Sequence, residues 1–166
     1  PAYQKITKAG DHRAANLAHR ESSEIANNLQ QRAMEDGRHL VLDKTLWDPK
    51  KAKQIIQDLK DAGYDVKLFG VTADPSEALI RNLSRFFETR RMVVPGALLK
   101  RHKGFNKNFK SYAKMVSEGQ LYDTTGAVPK LIAEVKNGKI KVIDKEEYNK
   151  LTARGKLDEK ATTHKQ

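Results

Sequence analysis

Two short apolar runs, joined by an amphipathic helical segment, constrain the fold of this chain most. The first run spans His39–Asp43 and the second spans Asp65–Thr72, and the segment between them has apolar residues at helical spacing. Strands separated by a helix of this length predict a right-handed crossover and a parallel sheet. Ligands of such sheets bind beyond the carboxyl ends of the strands. We therefore expect Asp43, Thr45 and Thr72 at the edge of a binding site.

Caps, periodicity and turn residues predict the other elements. Helices are expected at His12–Asp36, Pro49–Ala62, Pro75–Glu88, Pro95–His102, Phe105–Gly119 and Lys145–Ala153. Short strands are expected at Leu121–Asp123, Leu131–Val135 and Lys139–Ile143, the last two forming a hairpin around Asn137-Gly138. The predicted fold is therefore α/β, with a parallel sheet, flanking helices and a C-terminal β-hairpin. We expect one domain over residues 1–153 and a polar tail over residues 154–166.

Composition favours a globular protein with anionic partners. Of the 166 residues, 38% are apolar and 32% are charged, a balance that excludes a disordered chain. The sequence contains no apolar run that could span a membrane, no signal peptide and no cysteine, so we expect a cytoplasmic location without membrane contact. The formal net charge of +11 favours phosphates, nucleic acid or acidic protein as partners.

An ordered set of short motifs resembles the zeta toxin family of P-loop kinases, particularly its phage and plasmid members. The motifs are Tyr3, Glu21-Ser22-Ser23, Leu42-Asp43-Lys44-Thr45, Ala62-Gly63-Tyr64-Asp65-Val66, Arg81, Thr89-Arg90-Arg91-Met92-Val93-Val94-Pro95, His102 and Leu121-Tyr122-Asp123. The resemblance covers roughly Pro1 to Ile143, and its specificity lies in the order and spacing of the motifs.

The resemblance implies a kinase that uses ATP and Mg²⁺ to phosphorylate a hydroxyl of a small substrate. In the toxins proper that substrate is UDP-N-acetylglucosamine, and an antitoxin is a further partner that the resemblance suggests. The glycine-rich phosphate loop G-x-x-x-x-G-K-[ST] does not occur between Pro1 and Gln166. We therefore expect the distal portion of such a kinase, inactive until an N-terminal segment or another chain supplies the first strand and the loop.

Four residues carry the implied site. Arg81 and Arg91 match the two family arginines, which are expected to neutralise charge on the transferred phosphate. Arg85, one helical turn after Arg81, is the competitor for the role of the first arginine. Asp43 and Thr45 match an acidic-Gly-Thr motif at a strand end, whose carboxylate and hydroxyl are expected to contact substrate or metal-bound water. The family pattern is broken in places: Arg90 stands where the family has glycine, Val94 replaces its first proline, and Lys44 replaces the central glycine of acidic-Gly-Thr.

Other interpretations of the same residues stay open. The arginines are also typical of a solvated basic face, and Asp43 could cap the turn before Pro49. The segment Lys100–Lys114 interleaves basic residues with aromatic ones, as single-strand binders do, but the aromatic spacing favours a buried helical stripe, and we assign His102 no role. The alternative function is a non-catalytic module of a larger phage-type protein that binds nucleic acid or is structural.

Overall fold

The computed structural model describes residues 19–90 and 92–156, which contain five helices and four strands. The helices are α1 His19–Glu35, α2 Pro49–Asp61, α3 Pro75–Thr89, α4 Pro95–Ala113 and α5 Lys145–Arg154. The strands are β1 Lys67–Thr72, β2 Glu118–Asp123, β3 Lys130–Lys136 and β4 Lys139–Val142. The chain divides into two compact units, and residues 44–79 and 95–156, with the whole sheet, lie in the second unit.

The sheet has the order β1-β2-β3-β4 and mixed strand directions. β1 runs parallel to β2, in register from Lys67 opposite Glu118 to Thr72 opposite Asp123. The other two pairs, β2 with β3 and β3 with β4, are antiparallel. Because β3 pairs with β2, the predicted hairpin is part of the same sheet. The parallel pair brings the carboxyl ends of β1 and β2 side by side, which is the position where α/β sheets bind ligands.

Helix α4 supplies the centre of the core. Phe109 and Tyr112 are fully buried, and Phe105 packs against the same cluster. The core also contains these residues of the other elements and the intervening loops: Ala52, Ile56, Leu68, Val116, Leu121, Ile132, Ala133, Val135 and Leu151. The aromatic residues of Lys100–Lys114 are therefore core residues, as their helical spacing favoured, and are not available to stack on bases.

Local signals fixed the ends of several elements. The Asp48 carboxylate accepts hydrogen bonds from the backbone N–H groups of Lys50 and Lys51 and caps α2, and Asp144 caps α5 in the same way. The turn between β3 and β4 has positive φ at both Asn137 and Gly138, which the sequence pair predicts. None of the helices in the described ranges combines the length and hydropathy that a bilayer crossing requires.

The predicted strand at His39–Asp43 is wrong. Residues 38–47 contain no strand, and the Val41 side chain is completely exposed. The apolar run has no neighbouring strand to pair with among the described residues, and strand structure depends on such pairing. Parts of two other predictions, the first turns of the helix from His12 and the end of the polar tail, lie outside the described residues.

The predicted break between two helices at His102–Phe105 is also wrong, because α4 is continuous through Gly104. A Cβ atom at Gly104 would lie 2.4 Å from the backbone oxygen of Trp47. Glycine is required there for close packing of α4 against the loop before α2, and not to end a helix. Sequence alone does not distinguish these two uses of glycine.

We expect Gly104→Ala to lower the free energy of unfolding by about 1–2 kcal/mol, because the backbone overlap costs more than the gain in helix propensity. Gly96→Ala in the same helix is the matched control, since a Cβ atom there meets nothing within 4 Å. The control should be unchanged or up to about 1 kcal/mol more stable. Equal stability of the two variants in urea unfolding would show that the packing at Trp47 is loose.

Candidate functional site

A buried ion pair lies at the carboxyl end of β2. Arg154 Nη1, from the last residue of α5, is 2.9 Å from Asp123 Oδ2, and the two side chains are only 8% and 6% exposed. Arg154 Nη2 also lies 3.9 Å from Asp74 Oδ2 in the loop after β1. The first residue of the predicted tail therefore belongs to a helix and ties together the polar residues that follow both parallel strands.

Backbone hydrogen bonds hold the two strand ends against each other. The Thr124 N–H donates to the Thr72 carbonyl over 2.8 Å. The Asp74 N–H donates to Thr125 Oγ1, and the Thr125 N–H donates to Asp123 Oδ1, each over 2.8 Å. The loops after β1 and β2 thus form one connected structure around Asp123.

The carboxylates of this structure are stabilised as anions. Burial by itself raises the pKa of Asp123, but the hydrogen bonds from Arg154 and Thr125 and the charge of Arg154 outweigh burial, so its pKa lies below the usual value. Hydrogen bonds from Ser76 hold the pKa of Asp74 below its usual value. Both groups are therefore ionised at neutral pH.

A chain of hydrogen bonds leads from β1 into α4. Thr72 Oγ1 donates to Asn106 Oδ1 over 3.0 Å, and Asn106 Nδ2 lies 3.2 Å from His102 Nδ1. Because the amide nitrogen is a donor, Nδ1 accepts, and the neutral imidazole carries its proton on Nε2. Burial lowers the pKa of His102, which favours this neutral form. A hydrogen-bond interaction with the backbone of Ala73 raises this pKa but does not offset burial.

This cluster does not fit a magnesium ion. The guanidinium of Arg154 contacts the carboxylate of Asp123, so a cation there would meet an existing positive charge. In the described part of the chain, no three acidic or histidine side chains converge on a metal position. The cluster instead fixes the shape of the strand ends.

The loop that carries Thr45 is anchored on α4. Leu46 has a left-handed backbone with φ of 46°, and its carbonyl accepts a hydrogen bond of 2.8 Å from the hydroxyl of Tyr112. Burial, and secondarily the charge of Asp48, raises the pKa of Tyr112 to about 12. The hydroxyl therefore keeps its proton at neutral pH and can donate this hydrogen bond. Thr45 itself is exposed, directly beside the anchored backbone.

The four predicted site residues are divided between the two units. Thr45 belongs to the second unit, whereas Asp43 and Arg81 belong to the first, and both of the latter are exposed. Arg91 lies outside the described residues. The structure does not test whether these residues form one site, so that stays a prediction.

The described residues Arg90 and Val93, which flank position 91, have a defined backbone conformation and defined contacts. Asn82 on α3 is buried, and its amide pairs with Val93 twice: Nδ2 donates to the carbonyl over 2.8 Å, and Oδ1 accepts from the N–H over 2.9 Å. Arg90 has φ of 58°, a conformation that glycine adopts more easily. Arg90, which stands where the family has glycine, thus adopts a conformation that glycine favours.

Sequence reasoning missed Arg154, Asn106 and Asn82. Each is an isolated polar residue of a helix, and its side chain is buried by tertiary packing. Asn82 and Asn106 had one available signal, because asparagine is unfavourable inside a helix unless its side chain has a partner. Arg154 had none, since it follows the predicted end of a helix.

Comparison with known proteins assigns the chain to a family. The family model described as zeta toxin matches residues 1–147. The chain belongs to the zeta toxin family. This assignment confirms the resemblance seen in the motifs and is consistent with a kinase-like fold.

One curated relative is the calmodulin calcium-dependent NAD kinase of Arabidopsis thaliana. It is 26% identical to the chain over an alignment 178 positions long, which covers 79% of this chain and 33% of the relative. The chain therefore spans about a third of the length of that kinase. No solved structure matches the chain.

We expect Arg154→Met to lower the free energy of unfolding by about 3–5 kcal/mol, because Asp123 would remain buried without its partner. Lys150→Met is the matched control on the same helix. Lys150 is 49% exposed and pairs with Glu146 and Glu147, so its loss should cost at most about 1 kcal/mol. Chemical denaturation measures both values, and similar losses would contradict the buried pair.

The pH dependence of stability gives an independent test of Asp123. Its folded pKa lies below the ordinary value of 3.8, so the folded state binds fewer protons than the unfolded state near that pH. Stability should be complete above this value and fall as the pH drops through the folded pKa. In Arg154→Met the hydrogen bond and charge of Arg154 are lost while burial still raises the pKa of Asp123, so that pKa should rise and acid should destabilise this variant less. Identical pH profiles would contradict the assigned cause.

Proposed function

We propose that this chain is the distal portion of a kinase that transfers the γ-phosphate of ATP to a hydroxyl of a small substrate, such as a UDP-activated amino sugar. The observation that carries the proposal is the zeta toxin family match over residues 1–147. A second observation supports it, namely the ordered polar loops at the carboxyl ends of two parallel strands.

In the proposed reaction, a hydroxyl oxygen of the substrate attacks the γ-phosphorus, and the bond to the bridging oxygen of ADP breaks. The hydroxyl proton goes to a base that the family resemblance places outside this chain. Charge spreads over the phosphoryl oxygens in the transition state. Arg81 and Arg91 would neutralise that charge with their guanidinium groups. The Asn82 amide holds the backbone of Val93, which follows Arg91 by two residues in the sequence.

Asp43 and Thr45 would bind the substrate. A carboxylate and a hydroxyl can together accept from and donate to the hydroxyl groups of a sugar. The hydrogen bond from Tyr112 to Leu46 fixes the backbone beside Thr45. Substrate binding would therefore cost less conformational entropy in this loop. This anchoring supports a binding role for the loop.

The proposal also includes a partner segment that completes the sheet. β1 is an edge strand of the described sheet, and Phe69 and Val71 on it are 66% and 60% exposed. An apolar edge strand is a ready template for another strand. A strand followed by a glycine-rich phosphate loop would supply both the pairing and the site for ATP phosphates.

The arginines provide the test, in a natural form of the protein that includes a phosphate loop. We expect Arg81→Ala and Arg91→Ala each to lower kcat by about several hundredfold with little change in KM, because a transition-state contact acts on the chemical step. The controls are Arg85→Ala and Arg90→Gly, the latter because glycine adopts the φ of 58° without strain.

Steady-state kinetics of ATP consumption and product formation would rank the four variants. Much smaller losses in both controls than in Arg81→Ala and Arg91→Ala would agree with the proposed roles. If all four variants stay within about twofold, a change of only about 0.4 kcal/mol in the barrier, the arginines form a solvated surface and the proposed roles are wrong.

A further inference from the structure

Helix α4 carries a lysine stripe on the side away from its buried aromatic residues. The stripe consists of Lys103, Lys107, Lys110 and Lys114, spaced four, three and four residues apart, with Lys114 just beyond the helix end. Residues at this spacing lie on one helix face. At 1.5 Å per residue, the stripe is about 16 Å long. Like charges three or four residues apart destabilise a helix, so the stripe has a cost for folding.

Two grooves flank the lysine stripe and share it as a wall. One groove, of about 560 Å³, is lined by Lys103, Lys107 and Lys110 and by residues of α5 and the turn after it, including Lys156. The other, of about 430 Å³, is lined by Lys107, Lys110 and Lys114 together with Lys53 of α2. Six lysines therefore border the two grooves.

No carboxylate of the described residues lines either groove. The ion pairs found among the described residues involve other basic side chains, namely Arg38, Lys67, Lys150 and Arg154. The positive charge of the lysine stripe is thus not balanced by described acidic groups. A surface of this kind favours a ligand with regularly repeated negative charge.

We propose that the lysine stripe binds the sugar–phosphate backbone of a nucleic-acid duplex, by charge and without reading sequence. A stripe about 16 Å long spans roughly five base pairs at 3.4 Å per pair, so four to six lysines could each meet a phosphate. This role is separate from the proposed kinase site.

The chemistry of the grooves favours a duplex over a single strand. Stacking of unpaired bases needs exposed aromatic rings, but Phe109 and Tyr112 of α4 are fully buried. Tyr148 is the one aromatic residue that lines the first groove in the described chain, and it packs partly buried against the core. The groove hydroxyls of Ser111 and Thr152 already donate to the backbone carbonyls of Asn108 and Tyr148. The lysine ammonium groups therefore remain as the main donors, and they recognise phosphate.

An anionic membrane is disfavoured by the same surface. Binding in a membrane interface needs large apolar side chains beside the basic ones. The strongly exposed large apolar residues of the described chain are not among those that line the two grooves.

The test is fluorescence anisotropy of a labelled DNA duplex of about 20 base pairs, titrated with the full chain at about 0.1 M salt. We expect Lys107→Glu/Lys110→Glu to weaken binding by about 50-fold, which is the loss of two phosphate contacts at this salt concentration. The slope of log affinity against log salt should become shallower by about 2.

The matched control is Lys50→Glu/Lys51→Glu, in the first turn of α2. It makes the same change in net charge, both residues are exposed, neither lines a groove, and acidic residues are favourable at a helix N-terminus. The affinity of this control for the duplex should stay within about threefold of the parent. Charges that do not contact the duplex act only through screened long-range attraction.

Folding is checked on the same samples. Lys107→Glu/Lys110→Glu places opposite charges four residues apart with Lys103 and Lys114, so its melting temperature should equal or exceed that of the parent. Weaker binding with unchanged folding would support the proposal. Duplex binding within threefold of the parent, an equal loss in the control, or tighter binding to phosphatidylserine vesicles than to the duplex would overturn it.

Discussion

The packing of α4 against the sheet is the contact on which the rest of the second unit depends. Phe109 and Tyr112 of this helix fill the core, and side chains of the same helix also form hydrogen bonds with neighbouring elements. Asn106 bonds the end of β1 through Thr72, and the Tyr112 hydroxyl holds the strained Leu46 beside Thr45. A change in the position of α4 would therefore move the strand ends and the Thr45 loop together.

The buried pair of Arg154 and Asp123 acts through geometry more than through net stability. Desolvation of two charges offsets much of their attraction, so an apolar replacement of both partners could leave the free energy of unfolding similar. Such a replacement would lose the hydrogen bonds that fix the loops after β1 and β2. We infer that the pair specifies the shape of the carboxyl edge, where a kinase of this family would place its ligands.

Much of the fold could be predicted because its elements have local signals. Asp48-Pro49, Asp74-Pro75, Asp144 and Asn137-Gly138 mark three helix starts and a turn, and the structure has helices that begin at Pro49, Pro75 and Lys145 and a turn between β3 and β4. The errors have tertiary causes. His39–Asp43 is apolar enough for a strand but lacks a described partner strand, and Gly104 serves packing at Trp47. Buried single residues such as Arg154 belong to no motif, and the catalytic roles of Arg81 and Arg91 still rest on the family.

The most direct measurement is ³¹P NMR of ATP, Mg²⁺ and small hydroxyl substrates, including UDP-N-acetylglucosamine, incubated with the longest natural form of this protein. Phosphoryl transfer predicts that the γ-phosphate signal of ATP declines while a new phosphomonoester signal appears on the substrate and ADP accumulates. Release of inorganic phosphate alone, or an unchanged spectrum with a form that contains the phosphate loop, would contradict a kinase function for this chain.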